Sequence, residues 1–110
     1  MKLPNAENAV VDVVKLVDYC LDPNHPRGKH KARVFHSACA FNAGNADVLR
    51  LRLLDAALYG EAVPATNDVH GQRFVIEYLI EGPAGRAWVR TAWIIRRNED
   101  FPRFTTAYVL

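Results

Sequence analysis

The spacing of apolar residues changes from helical to strand-like near Gly71, and this change constrains the fold more than any other feature of the chain. Before Gly71, apolar residues recur every three or four positions, which is the spacing of one helix face. After it, apolar and polar residues alternate, as they do in a half-buried strand. This order predicts an α+β domain, with about three N-terminal helices packed on one face of a three- to four-stranded antiparallel sheet.

Three segments have the helical spacing: residues 13–21, 29–41 and 46–59. Asp12 is the expected N-cap of the first helix and Asn45 that of the third, which Gly60 would end. In the second helix, Lys31 falls on the apolar side of the first turn. A lysine in that position is unusual unless it meets a partner from another element.

Four segments have the strand pattern: residues 61–64, 73–81, 86–97 and 103–110, the first as a short edge strand. Alternation assigns to the helix-facing side Phe74, Ile76, Tyr78, Ile80, Val89, Trp93, Ile95, Phe104, Tyr108 and Leu110. The opposite face then carries Arg73, Glu77, Arg86, Trp88, Arg90, Arg96, Arg103 and Thr105. A register shift of one residue would exchange the two faces.

The second of these faces is rich in arginine and suits contact with a nucleic acid. Arginine forms bidentate bonds with phosphate, so Arg86 and its neighbours would bind the backbone. A tryptophan such as Trp88 can stack on a base. The alternative is an outer face that is charged only for solubility, with long arginine side chains covering Trp88.

Residues 23–33 hold the densest group of cations, in a chain whose formal net charge is only +2. A helix that starts at Lys29 would direct its N-terminal N–H groups toward an anion, and Lys31 and Arg33 would add positive charge. His30 has the side chain that most often acts as a general acid or base near neutral pH. The alternative is a solvated loop in which His30 caps or packs. For the other histidines we expect a solvated or structural role: His25, His36 and His70.

Composition indicates one folded domain, residues 1–110, because half of the residues are apolar and 24% are charged. The apolar runs are far shorter than the roughly 20 residues of a membrane helix, and the N-terminus lacks the apolar stretch of a signal peptide. We therefore expect a cytoplasmic protein with no membrane partner. Cys20 and Cys39 lack C-x-x-C spacing, so we expect reduced, half-buried thiols.

The sequence contains no motif for a phosphate-binding loop, a serine nucleophile elbow, a zinc protease helix or a dinucleotide fold. Asp22, His25 and His30 are the one set that could be drawn as metal ligands, and the neighbouring lysines and arginines oppose a bound cation. We therefore expect neither a metal nor a cofactor.

Residues 5–12 read Asn-Ala-Glu-Asn-Ala-Val-Val-Asp, and residues 25–35 read His-Pro-Arg-Gly-Lys-His-Lys-Ala-Arg-Val-Phe. With Arg-Thr-Ala-Trp-Ile at 90–94 and the segment 101–110, they resemble a family of small bacterial domains of unknown function along nearly the whole chain. The Gly-Lys-His-Lys-Ala segment, followed by a sheet that ends in Arg-x-Thr-x-x-Tyr, is also similar in arrangement to the toxin nucleases of the barnase, EndoU, colicin and RelE superfamily.

The second resemblance implies metal-independent cleavage of RNA by attack of a 2′-hydroxyl on the adjacent phosphate. The candidate catalytic residues are then His30, Lys31, Glu77, Arg90, Arg103 and Thr105. His30 or Glu77 would take or give the proton. Lys31, Arg90 and Arg103 would stabilise the charge on the phosphorane.

Tyr108 also matches this arrangement, but its predicted place on the buried face favours a structural role. The competing function is that of a non-enzymatic interaction module, such as an antitoxin, an immunity protein or an accessory subunit. In that case Trp88 and Trp93 would be core or interface anchors, and the basic segment would bind an acidic partner. The expected partners are therefore RNA or a small acidic neutralising protein.

Overall fold

A four-stranded antiparallel sheet occupies the C-terminal half of the chain, in a computed structural model that describes residues 1–110. Its strands follow one another in sequence order: β1 Ala62–Asp68, β2 Gly71–Gly82, β3 Gly85–Arg96 and β4 Arg103–Val109. β1 and β4 are therefore the two edges. β1 is longer than the predicted 61–64, and an irregularity between Pro64 and Asn67 interrupts its pairing with β2.

Three helices precede the sheet and pack on one of its faces, which confirms the predicted α+β fold. They are α1 Val13–Lys15, continued by a π-helical turn at Leu16–Cys20, then α2 Lys29–Cys39 and α3 Ala46–Tyr59. α2 ends before the predicted Phe41 because Ala40 has a left-handed backbone, with φ of 62°. None of the helices has the length and apolarity needed to span a membrane.

The start of α3 is organised differently from the prediction. Asn45 directly precedes α3, but its side chain does not cap that helix. Instead, the Asn42 side chain accepts a bond from the Gly44 N–H, and the Asn45 side chain accepts one from the Asn42 N–H. The two asparagines thus form a capping box around a short 3₁₀ turn, Ala43–Asn45, that leads into α3. At α1 the prediction is confirmed, since the Asp12 side chain caps the helix.

The core lies between the helices and the sheet, with Trp93 at its centre. The indole N–H of Trp93 donates to the Thr91 hydroxyl at 2.8 Å, and that hydroxyl donates to the Ile76 carbonyl at 2.9 Å. The buried polar groups are therefore paired, as a stable core requires. Other large, fully buried side chains are Leu16, Phe35, Phe41, Leu49, Leu53, Ile80 and Val89. Cys20 and Cys39 are free and fully buried, rather than half-buried as expected.

The predicted division of β2 and β3 into two faces agrees with their register. Phe74 lies opposite Trp93 and both are buried on the helix side, whereas Glu77 lies opposite Arg90 on the other face. That outer face leaves Trp88 57% exposed. The arginine-bearing face of the sheet is thus accessible.

In β4 the predicted face assignment is wrong beyond Phe104, because Thr105 forms a β-bulge. Phe104 pairs with β3 in one register, and the residues after Thr105 pair with β3 in a register shifted by one residue. The alternation of side chains between the two faces therefore reverses after Thr105. Phe104 and Ala107 are consequently both buried. Tyr108 and Leu110, expected in the core, are instead half-buried and exposed, respectively.

Candidate functional site at the junction of helix α2 and strand β4

Lys31 reaches from the first turn of α2 to the free edge of β4, which explains its place on the apolar side of the helix. Its ammonium group donates to the hydroxyl oxygens of Tyr19 at 3.1 Å and Thr106 at 3.3 Å. It also lies 4.8 Å from the ring centroid of Tyr19 and 5.7 Å from that of Tyr108. All of these partners are neutral, and Lys31 forms no ion pair. The positive charge of this half-buried lysine is therefore not compensated within the protein.

Tyr108 connects Lys31 to the outer face of the sheet. Because of the bulge it lies opposite Arg90, whose Nη1 donates to the Tyr108 hydroxyl oxygen at 3.0 Å. The same guanidinium donates from Nε and Nη2 to Glu77 Oε1, at 3.0 and 2.5 Å. The bond to Glu77 and then that to Tyr108 raise the pKa of Arg90. Lys31, Tyr108, Arg90 and Glu77 are in continuous contact, and we call them the junction cluster.

Two open hollows flank Lys31. The first, of about 300 Å³, is lined by His30, Lys31, Val34, Tyr108 and Val109. The second, of about 330 Å³, is lined by Lys15, Tyr19, Lys31, Thr105 and Thr106. Neither is lined by an acidic side chain. His30 therefore lies beside the junction cluster, in a hollow where an anion would meet only neutral and basic groups.

The N-terminus of α2 is electrostatically unfavourable in the absence of a bound anion. Its first turn contains no acid, and Gly28 provides no side-chain cap. Lys29, His30 and Lys31 instead place basic groups where the helix dipole is already positive. The Lys29 N–H already donates to the His25 carbonyl at 3.0 Å, so the backbone N–H groups of His30 and Lys31, together with the cations, are those available to an external anion.

Arg103 and Thr105, predicted to act with these residues, are not in the junction cluster. Arg103 donates from Nε and Nη2 to the two carboxylate oxygens of Glu99, both at 2.8 Å. Its guanidinium lies 4.9 Å from the Phe101 ring centroid, and along β4 it is roughly 15 Å from Tyr108. Thr105 is the bulged residue and lines the hollow on the far side of Lys31.

Trp88 lies next to the junction cluster on the outer face of the sheet. A hollow of about 560 Å³ there is lined by Glu61, Val63, Val75, Glu77, Trp88 and Arg90. Glu77 and Arg90 thus border both the junction cluster and the exposed indole. Arg86 lies farther along β3, opposite Glu81. A base stacked on Trp88 would lie beside the Glu77–Arg90 pair.

Lys29 and Arg33 are not brought to the junction cluster. Together with His36 they line a different cavity, on another side of α2. His25 orders the loop before the helix, because its Nδ1 accepts bonds from the backbone N–H groups of Arg27 and Gly28 at 3.0 and 2.9 Å.

Sequence reasoning missed Tyr19 and Thr106, the two hydroxyl partners of Lys31. Their contact with Lys31 depends on the π-helical turn that follows α1 and on the bulge in β4. Neither feature leaves a signal in hydrophobic periodicity. The one available signal is the position of Lys31 on the apolar side of α2.

The chain matches a protein family in sequence and a chain of known structure in fold. No curated protein matches the chain. A chain in a solved contact-dependent growth inhibition toxin–immunity protein complex from Klebsiella pneumoniae 342 is similar in structure, with a TM-score of 0.66 and 17% sequence identity, over 96% of each chain. At that identity the likeness shows the fold alone. The family described as a domain of unknown function, DUF6883, matches residues 2–110. The chain therefore belongs to the DUF6883 family.

Proposed function

We propose that this domain cleaves RNA without a metal ion, at the junction cluster. The proposal rests on one observation: Tyr108 contacts both Lys31, a cation of the helical half, and Arg90, a cation of the sheet. Lys31 has no acidic partner, and the only acidic partner of Arg90 is Glu77. Two fixed cations that border open hollows are suited to hold the non-bridging oxygens of a phosphodiester.

In the proposed reaction the 2′-hydroxyl oxygen attacks the adjacent phosphorus, and the bond from phosphorus to the 5′-oxygen of the next nucleotide breaks. The products are a 2′,3′-cyclic phosphate and a free 5′-hydroxyl. Glu77 accepts the proton of the 2′-hydroxyl, and protonated His30 donates one to the departing 5′-oxygen. Lys31 and Arg90 stabilise the added negative charge on the phosphorane. Tyr108 acts as a positioning residue that holds the Arg90 guanidinium.

The fold supports this proposal by analogy. The similar chain of known structure comes from a toxin–immunity protein complex, which is compatible with either a toxin or an immunity role. The arrangement of helices ahead of an antiparallel sheet resembles that of the toxin nucleases. By the resemblance to toxin nucleases the domain would be the toxin component, acting in the cytoplasm, where its RNA substrate is found. A small acidic protein would neutralise it by covering the cations of the junction cluster.

Expression of the chain from an inducible promoter in bacteria tests the proposal. We expect growth arrest together with loss of intact cellular RNA. His30→Ala and Arg90→Ala should relieve both effects, because they remove the proton donor and one phosphate ligand. His70→Ala, in the exposed turn between β1 and β2, is the matched control and should remain toxic. Harmless accumulation of folded wild-type protein with intact RNA would overturn the proposal.

A non-enzymatic interaction module is the second candidate. The observation that favours it is a set of exposed apolar side chains on the uncovered face of the sheet, namely Val63, Leu79 and Trp88. Exposed apolar surface with a polar rim is typical of protein-binding sites. With this function the wild-type chain would be harmless when expressed, and Trp88→Ala would abolish capture of its protein partner. The growth experiment therefore separates the two candidates.

A further inference from the structure

A second basic cavity lies on α2, away from the junction cluster. Its volume is about 550 Å³, and its basic wall is formed by Lys29, Arg33 and His36. At about 100° per residue these three side chains form one stripe along the helix, and Lys31 lies roughly opposite that stripe. The cavity and the junction cluster therefore occupy two flanks of the same helix.

The charge of this cavity is entirely positive. No acidic side chain lines it, and Lys29, Arg33 and His36 form no ion pair. Lys29 and Arg33 are separated by one helical turn, a rise of about 6 Å. That rise is close to the separation of neighbouring phosphates in a single strand. The wall therefore matches consecutive phosphate groups.

The remainder of the cavity suits a flat ring. Pro23 and Ala43 are exposed at its rim, and they provide apolar surface together with the stems of the basic side chains. The side-chain oxygen of Asn42 accepts a bond from the Gly44 N–H, so the amide NH₂ is available to donate to the edge of a base. The volume lies within the usual range of small-ligand sites.

We infer that this cavity holds a nucleotide of the RNA strand at a distance from the scissile phosphate. Its phosphates lie on Lys29 and Arg33, and its base lies over Pro23 and Ala43. This inference rests on the proposed function. A single RNA strand that crosses the N-terminus of α2 would reach the junction cluster on one flank of the helix and the cavity on the other. A compact cavity beside two cations favours a nucleotide over an acidic peptide, which would require a longer groove.

Fluorescence anisotropy with a short 2′-O-methyl RNA, which cannot be cleaved because its 2′-hydroxyl is blocked, tests the inference. Lys29→Ala/Arg33→Ala should weaken binding roughly tenfold and lower the slope of log affinity against log salt by about 1.4, as expected for two lost phosphate contacts. The matched control is Lys2→Ala/Arg52→Ala, which removes the same amount of positive charge outside the cavity. The Lys2 side chain donates to the backbone carbonyl of Tyr59, and the Arg52 side chain donates to that of Glu81. The inference is overturned if both double variants bind alike.

Ala43→Phe separates shape from charge, because it fills the cavity from an exposed position without removing a cation. It should also weaken RNA binding, and unchanged binding would contradict a base in the cavity. A fluorescent polyglutamate peptide serves as the acidic-protein arm. If Lys29→Ala/Arg33→Ala no longer binds the peptide but binds RNA as the wild type does, the cavity binds an acidic partner and the inference is wrong.

The failure of this inference is distinguishable from that of the proposed function. If the wild type cleaves RNA and Lys31→Ala abolishes cleavage, while Lys29→Ala/Arg33→Ala binds like its control, only the second cavity is ruled out. If the folded wild type neither binds the 2′-O-methyl RNA nor cleaves unmodified RNA, the proposed function fails together with it. Circular dichroism of each variant establishes that the comparison is made between folded proteins.

Discussion

The hydroxyl oxygen of Tyr108 lies 3.0 Å from Nη1 of Arg90, although simple alternation along β4 would place Tyr108 on the opposite face of the sheet. The bulge at Thr105 produces this contact, because one additional residue reverses every side chain that follows it. The Tyr108 ring also remains 5.7 Å from the Lys31 ammonium. One irregularity in an edge strand thereby joins the basic start of α2 to the arginine face of the sheet.

Tyr108→Phe tests the positioning role of this hydroxyl. The variant keeps the ring near Lys31 and removes one of the bonds that hold Arg90, so we expect slower RNA cleavage with a lower kcat and a nearly unchanged KM. The free energy of unfolding should change little, because Arg90 lies on the accessible face of the sheet and keeps its ion pair with Glu77. Tyr59→Phe, at an exposed tyrosine outside the cluster, is the control. Equal rates for the two variants would remove Tyr108 from the mechanism.

The two tryptophans should separate binding from stability. Trp88 is 57% exposed on the outer face, whereas Trp93 is fully buried in the core. Trp88→Ala should weaken binding of single-stranded RNA by about 1–3 kcal/mol, the usual contribution of base stacking, and leave thermal stability nearly unchanged. Trp93→Ala should destabilise the fold by about 3–5 kcal/mol. Unchanged RNA affinity of Trp88→Ala would show that the indole does not contact bases.

Gly28→Ala should destabilise the protein through backbone crowding at the start of α2. A Cβ at this buried position would lie 2.3 Å from the carbonyl oxygen of Tyr19, which cannot move as a side chain would. We expect a loss of roughly 1–3 kcal/mol in urea unfolding, as for other overpacked sites. Gly44→Ala is the control, because its Cβ would lie 3.1 Å from only the Asn42 side chain. The crowding argument fails if both substitutions have the same effect.

Glu99 should make the stability of the protein depend on pH. The hydrogen bond from Arg103 holds the pKa of the Glu99 carboxyl below its ordinary value of 4.5 in the folded protein. Since the folded pKa is the lower one, the stabilisation is complete above the unfolded pKa and is lost as pH falls through the folded pKa. Glu99→Gln should therefore reduce the stability at neutral pH and have a smaller effect in acid. Urea unfolding of both proteins across this range checks the prediction, which a constant difference would contradict.

The sequence predicted the elements of the fold better than it predicted their contacts. The bounds of α3 and the change of period at Gly71 follow from local spacing, which depends on neighbouring residues alone. The bulge at Thr105 could not be predicted in this way, because it depends on how β4 pairs with β3 and with Val10 of the N-terminal segment, and those partners are distant in sequence. The partners of Lys31 depend on that bulge and on the π-helical turn after α1. The sequence therefore predicted the charged residues of the candidate site, but it did not predict that Tyr108 connects them.

The cleavage rate of a short RNA in the presence of EDTA, compared between Arg90→Ala and Arg103→Ala, tests the central claim most directly. Each arginine forms an ion pair with one glutamate, but only Arg90 belongs to the junction cluster. We predict products that end in a 2′,3′-cyclic phosphate, a rate lowered about 10²–10³-fold by Arg90→Ala, and a rate close to that of the wild type for Arg103→Ala. Absence of cleavage by the folded wild-type chain, or equal losses in the two variants, would contradict a catalytic role for the junction cluster.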